Sequence, residues 1–137
     1  ARHSLREPLL WILHVGYGWL VVGLLLRAAS GLGFPQLATL ATHALTVGAI
    51  GCLTLGMMAR VSLGHTGRLL VAPAPISAVF VAINIAAVVR VVGPLLAPTR
   101  YFEVLAAATA FWTVGFVVFL ATYAKVLTSP RLDGRPG

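Results

Sequence analysis

The sequence predicts an all-α integral membrane protein, a four-helix segment of a larger polytopic bundle. Three observations predict it. Hydrophobic residues make up 59% of the chain and charged residues only 9%, with a mean hydropathy of +0.96, a balance outside the range of soluble domains. Four apolar windows each supply about 20 residues, enough at about 1.5 Å per residue to cross a hydrocarbon core of about 30 Å. None of the windows alternates apolar and polar residues as barrel strands do, so helices are the fitting element.

The first window covers residues 8–26. Pro8 opens it, where a first-turn proline sacrifices no hydrogen bond, and Gly31, Gly33 and Pro35 break the chain after it. The second window, 37–59, carries Ala44, Gly48, Cys52 and Gly56 at successive four-residue steps. Such a ridge of small side chains lets a neighbouring helix approach closely, which replaces the hydrophobic driving force that lipid removes. A flat cofactor lying on the ridge is the other use of the same surface. The third window, 75–96, opens at Pro75 and is closed by Pro94 and Pro98. Asn84 near its middle is expected to hydrogen-bond another helix, and Arg90, about 9 Å from its outer end, is within snorkelling reach. The fourth window, 103–124, begins at Glu103, whose carboxylate favours the helix dipole and can meet Arg100. Trp19 and Trp112 fall at similar mid-membrane heights, suited to packing together or to edging a macrocycle.

The net charge of +7 does not indicate nucleic acid, because the basic residues flank hydrophobic spans and form no stripe or motif. With four spans, Arg2, Arg6, Arg60, Arg68, Lys125, Arg131 and Arg135 share one face of the membrane. Arg27 and Arg100, with Arg90 near the same end of its span, are on the other. This asymmetry predicts cytoplasmic termini. Trp11 and Tyr123 near the inner boundary and Tyr101 near the outer one fit interfacial aromatic belts.

The lone cysteine, Cys52, excludes an internal disulfide and a cysteine-based zinc site, and reads as a small packing residue. The chain starts at Ala1-Arg2-His3 without an initiator methionine or a signal-peptide pattern, and is expected to be a piece of a longer protein.

Histidine is costly in lipid, so His14 and His43 each require a reason. His43 is about 9 Å deep from the outer side and His14 about as deep from the inner side, a height difference of roughly 12 Å. Two axial nitrogens on one haem iron lie about 4 Å apart, so one iron cannot take both and each needs a partner elsewhere. Tyr17, one turn from His14, can face the same site. A hydrogen bond to a neighbouring helix is the alternative for either imidazole.

Arg60-Val61-Ser62-Leu63-Gly64-His65-Thr66-Gly67-Arg68 is expected to be a cytoplasmic loop. It reads either as an ordinary basic interfacial connection or as a turn presenting amides to an anion, or His65 to a metal. His3 beside the terminus has little claim. No carboxylate pair, nucleophile elbow or phosphate loop is present, which leaves an all-protein hydrolase without a foothold.

Three segments carry a family resemblance. Arg2-His3-Ser4-Leu5-Arg6-Glu7-Pro8-Leu9-Leu10-Trp11, His43-Ala44-Leu45-Thr46-Val47-Gly48-Ala49-Ile50-Gly51 and the Arg60–Arg68 segment resemble the C-terminal third of the NnrS family, as does the closing Asp133-Gly134-Arg135-Pro136-Gly137. The resemblance implies a bacterial inner-membrane protein that contains haem and copper and serves the response to nitric oxide and nitrosative stress. It makes His14, His43 and His65 the candidate metal ligands, with Tyr17 a candidate cofactor neighbour. The partners it implies are the lipid bilayer, the remaining helices of the full-length protein and nitric oxide. The competing classes are a quinone-linked redox subunit using the same histidines and a cofactor-free transporter or structural bundle.

The charge asymmetry makes a direct prediction: a cysteine label at Ser129 reacts from the cytoplasm and one at Thr99 from the periplasm. Labelling from the reverse sides rejects the orientation.

Overall fold

The computed structural model describes residues 7–132. Arg2, Arg6 and Arg135 of the charge count, His3 and the Asp133–Gly137 motif lie outside the described residues. The rest is helical, with no strand among the described residues. Helix α1 runs Pro8–Gly31; α2 (Leu37–His43), a π-helical segment (Ala44–Ile50) and α3 (Gly51–His65) continue as one second span; α4 runs Ala74–Leu96; a 3-10 turn (Pro98–Arg100) leads into α5, Tyr101–Thr128. Four helical stretches are therefore long and apolar enough to cross a membrane, the second being 29 residues long.

The helices extend beyond the hydrophobic windows. Helix α1 continues past residue 26 through Arg27 to Gly31, and α3 continues past residue 59 to His65. Hydropathy marks where lipid ends, but a backbone that hydrogen-bonds to itself continues into the interface until a turn stops it. Pro94 does not end α4, which continues to Leu96. A proline removes only its own N–H bond and tolerates a last turn.

The small-residue ridge is the seat of α1. Ala44, Gly48, Cys52 and Gly56 are all buried. A β-carbon built on Gly48 would fall 2.5 Å from the Trp19 indole, and one on Gly56 2.8 Å from Leu13 and 2.9 Å from Ile12. On the opposite surface, Gly16 receives Leu53 and Gly23 receives Leu45. The two spans are thus antiparallel and in van der Waals contact through missing side chains. This closeness corrects the idea that a cofactor lies on the ridge, because α1 already covers it.

Asn84 ties three spans together. Its Oδ1 accepts from the Trp19 indole N–H at 3.1 Å and from the Cys52 thiol at 3.6 Å, while its Nδ2 donates to the Phe80 carbonyl at 2.8 Å. The expected interhelical bond is therefore present, and it engages Trp19, which does not pack on Trp112. Trp112 stacks instead on Phe116, with ring centres 4.1 Å apart. A second close packing joins α4 to α5, where Gly93 faces Val104 and Gly115 faces Ile83.

The core is concentrated at one end of the bundle. Leu9, Ile12, Leu55, Leu63, Ile76, Phe80, Phe119 and Tyr123 interlock where α1 begins and α5 ends. Trp11 meets Phe80 edge-on with ring centres 6.0 Å apart, and Tyr123 is buried with its hydroxyl unpartnered among the described residues. Tyr123 is therefore a core residue and not a member of an interfacial belt, while Trp11 is half-buried and packs on the core from its edge. The opposite end has only Leu40, Ala44 and Val91 as a small buried cluster. Arg100 and Glu103 pair there at 3.8 Å, both largely exposed, so the contact is worth at most about 1 kcal/mol.

Overpacking the α1 seat should be costly. Gly48→Val is expected to lower unfolding stability in detergent by about 1–3 kcal/mol, whereas Gly64→Ala, at a position with open space around it, should leave it equal or raise it by up to about 1 kcal/mol. Equal losses in both variants, followed by circular dichroism, would reject the seating of α1 on Gly48.

Candidate functional site

Where the core thins, the second span widens into π-helix. A π segment inside an α-helix is uncommon and frequently marks a functional position. Here it starts immediately after His43, and the Gly51 N–H reaches back to the Thr46 carbonyl across the wider turn. Thr46 donates its hydroxyl to the Thr42 carbonyl at 2.8 Å, and Thr42 donates to Ala38 at 3.1 Å. The wider turns alter the drift of successive side chains around the axis. Ala44 and Gly48 stay buried while His43 is half-buried and opens between the second span, α4 and α5.

The space it opens into is a cavity of about 200 Å³. His43 and Val47 line it from the second span, Arg90 from α4, and Leu105, Ala108, Thr109 and Trp112 from α5. His43 has no hydrogen-bond partner among the described residues. Arg90 shares the cavity with it: the guanidinium lies 5.9 Å from the centre of the Tyr101 ring and donates from Nη2 to the Tyr101 hydroxyl at 3.5 Å. Arg90 thus reaches toward the outer end of its span, where Tyr101 at the start of α5 meets it. Sequence reasoning treated His43 and Arg90 separately. The available signal was their depth, since each is about 9 Å from the outer end of its own span.

His14 faces the other way. It is exposed on the outer surface of α1, and its Nδ1 donates to the Leu10 carbonyl at 2.8 Å. A carbonyl oxygen only accepts, so this nitrogen carries a proton, and Nε2 is the nitrogen left to meet a partner outside the helix. Tyr17 is 62% exposed on the same face, one turn along. The contacts of α1 with the second span set the relative heights: Gly16 beside Leu53, Trp19 beside Gly48 and Gly23 beside Leu45. Continued along both helices, this register puts His14 level with Thr54 and His43 level with Leu25. They are about 16 Å apart along the bundle, more than the roughly 12 Å read from the windows.

His65 ends α3 and is exposed, in a shallow groove with Met57, Arg60, Val61, Gly64 and Leu70. The segment expected to be a loop is thus helical as far as His65, and the turn is only Thr66-Gly67. Gly67 has φ of 67°, which a side chain would resist. The N–H groups of Thr66, Gly67 and Arg68 donate to the carbonyls of Ser62, Gly64 and Leu63. Those amides are consumed in capping the helix, which corrects the reading of this turn as an anion cradle.

No group of three or more His, Cys, Asp or Glu side chains suited to a metal occurs among the described residues. His14, His43 and His65 are on three separate surfaces. Any metal at one of them would take its other ligands from outside this set.

The family described as NnrS protein matches residues 1–131 of the chain. No curated protein and no solved structure matches it.

Proposed function

The chain belongs to the NnrS family, membrane proteins of the nitric oxide response, and from that premise we propose that His43 would hold a haem at the cavity between the second span, α4 and α5. The observation that carries this reading is the His43 imidazole, held at membrane depth without a hydrogen bond and opening into a partly apolar cavity. An unpartnered polar group in lipid is expensive, and iron coordination is a way to offset that cost.

The residues fit such a group. Val47, Leu105 and Ala108 provide apolar walls, Trp112 a flat aromatic one, and His43 a nitrogen donor. A cavity of about 200 Å³ is smaller than the roughly 300–1,000 Å³ of sites that enclose a whole small-molecule ligand. It takes the edge and the ligand position, and further helices of the full-length protein complete the enclosure. When bound, a haem iron supplies coordination of nitric oxide. His43 would orient the group, and the apolar walls would limit water around it.

For copper we favour His14 over His65. A metal-binding imidazole usually donates its second ring nitrogen to a carbonyl or carboxylate, as His14 Nδ1 does to Leu10. His65 makes no such bond among the described residues. Tyr17, beside His14, would be a neighbour of that centre. Residence in the bacterial inner membrane, with cytoplasmic termini, completes the proposal.

Full-length protein purified from membranes should show a Soret band and contain iron and copper by elemental analysis. His43→Ala is expected to lose most of the Soret absorbance and iron at normal yield. His14→Ala should retain haem and lose copper. Unchanged haem content in His43→Ala removes the assignment, and metal-free wild-type protein removes the haem reading altogether.

A further inference from the structure

Arg90 is a cation inside a membrane span, and no carboxylate neutralises it among the described residues. Glu103, the acidic residue that opens α5, pairs with Arg100 at 3.8 Å. Tyr101 offers Arg90 a ring face and one hydroxyl, which compensates for desolvation without cancelling the charge. Thr109 of α5 lines the same cavity as Arg90 and is a second polar side chain there. Thr42, Thr46, Thr54, Thr122 and Thr128 each donate to a carbonyl one turn earlier in their helix. Thr109 makes no such bond, so its hydroxyl is available.

We propose that Arg90 and Thr109 form an anion-recognition point for the ligand of the His43 cavity, selective for a planar two-oxygen anion. A guanidinium fork matches two oxygens in one plane, and a hydroxyl adds a donor from the facing helix. The cavity of about 200 Å³ accommodates such a group with His43 beside it. Two sources share this chemistry: a carboxylate side arm of the bound macrocycle, or a free small anion such as nitrite. The first rests on the haem reading and deepens it; the second stands without it.

The test uses full-length protein in detergent. If the anion is a side arm, wild type binds protohaem at least tenfold more tightly than protohaem dimethyl ester, and Arg90→Gln binds the two alike, both followed by Soret titration. If it is free, the two haems bind wild type alike, and sodium nitrite shifts the Soret band of wild type but not to the same extent that of Arg90→Gln. Arg100→Gln, which removes a cation already paired with Glu103, should behave as wild type. Should wild type take up no haem, the haem reading fails on its own, and calorimetric titration of nitrite into the apoprotein decides the anion site: binding at least tenfold weaker in Arg90→Gln supports it. If Arg90→Gln fails to accumulate, Arg90→Lys and Thr109→Val replace it, each expected to weaken the discrimination severalfold. Identical behaviour of wild type and folded variants in these titrations overturns the proposal.

Discussion

In a bilayer a side-chain N–H or C=O finds no water, so each polar group must be answered by another helix or carry the cost itself. Asn84 is where this chain meets that constraint. Its amide oxygen takes the Trp19 indole and the Cys52 thiol, and its amide nitrogen is returned to its own helix at Phe80. The first of those bonds depends on Gly48, which lets the Trp19 ring approach the second span. A side chain at Gly48 would push Trp19 away, leaving its indole N–H without an acceptor and the Asn84 oxygen with the Cys52 thiol alone. Close packing and polar satisfaction are therefore one arrangement, and α1, the second span and α4 are fixed by it together.

The fixing is uneven along the bundle, and the site follows from that unevenness. Below Asn84, large side chains such as Phe80, Leu55, Ile12 and Phe119 fill the space between helices. Above it, the second span widens into π turns, and apart from Leu40 its buried residues there are the small Ala41, Ala44, Gly48 and Ala49. The helices there still pack at their edges, through Gly93 on Val104, but their centre is not filled. A rigid half thus supports a half with room in it. A ligand site benefits from this division, since its side chains need a fixed frame and an unfilled space.

The architecture was legible because it depends on composition and on spacing within single segments. Four long apolar windows imply four spans, and four-residue steps of Ala44, Gly48, Cys52 and Gly56 imply a packed face. Asn84 at mid-membrane implies an interhelical bond. What was not legible depends on relations between segments or on local backbone deviation. Nothing in Ala44–Ile50 announces a π segment, since its residues would also sit in an ordinary helix. The Arg60–His65 stretch looked like a loop because it is basic and glycine-bearing, yet helix continues until Gly67 turns it. The distance of Tyr123 from its span end suits an interfacial place, but that distance does not give the direction of a side chain around the helix, and Tyr123 points into the core. The same lack of rotational information separated Arg90 from His43 in the sequence, although their depths agreed.

Rotation also explains why the three histidines cannot serve one centre. His43 opens inward between three helices, His14 faces outward from α1 with its Nδ1 proton already committed to Leu10, and His65 sits at the end of α3. The register of α1 against the second span separates the first two by about 16 Å, several times the span of two ligands on one metal. The outward face of α1 carries His14 and Tyr17 one turn apart, on the side away from the second span. The His43 cavity draws its walls from three spans, and at about 200 Å³ it is smaller than the roughly 300–1,000 Å³ of sites that enclose a whole small-molecule ligand.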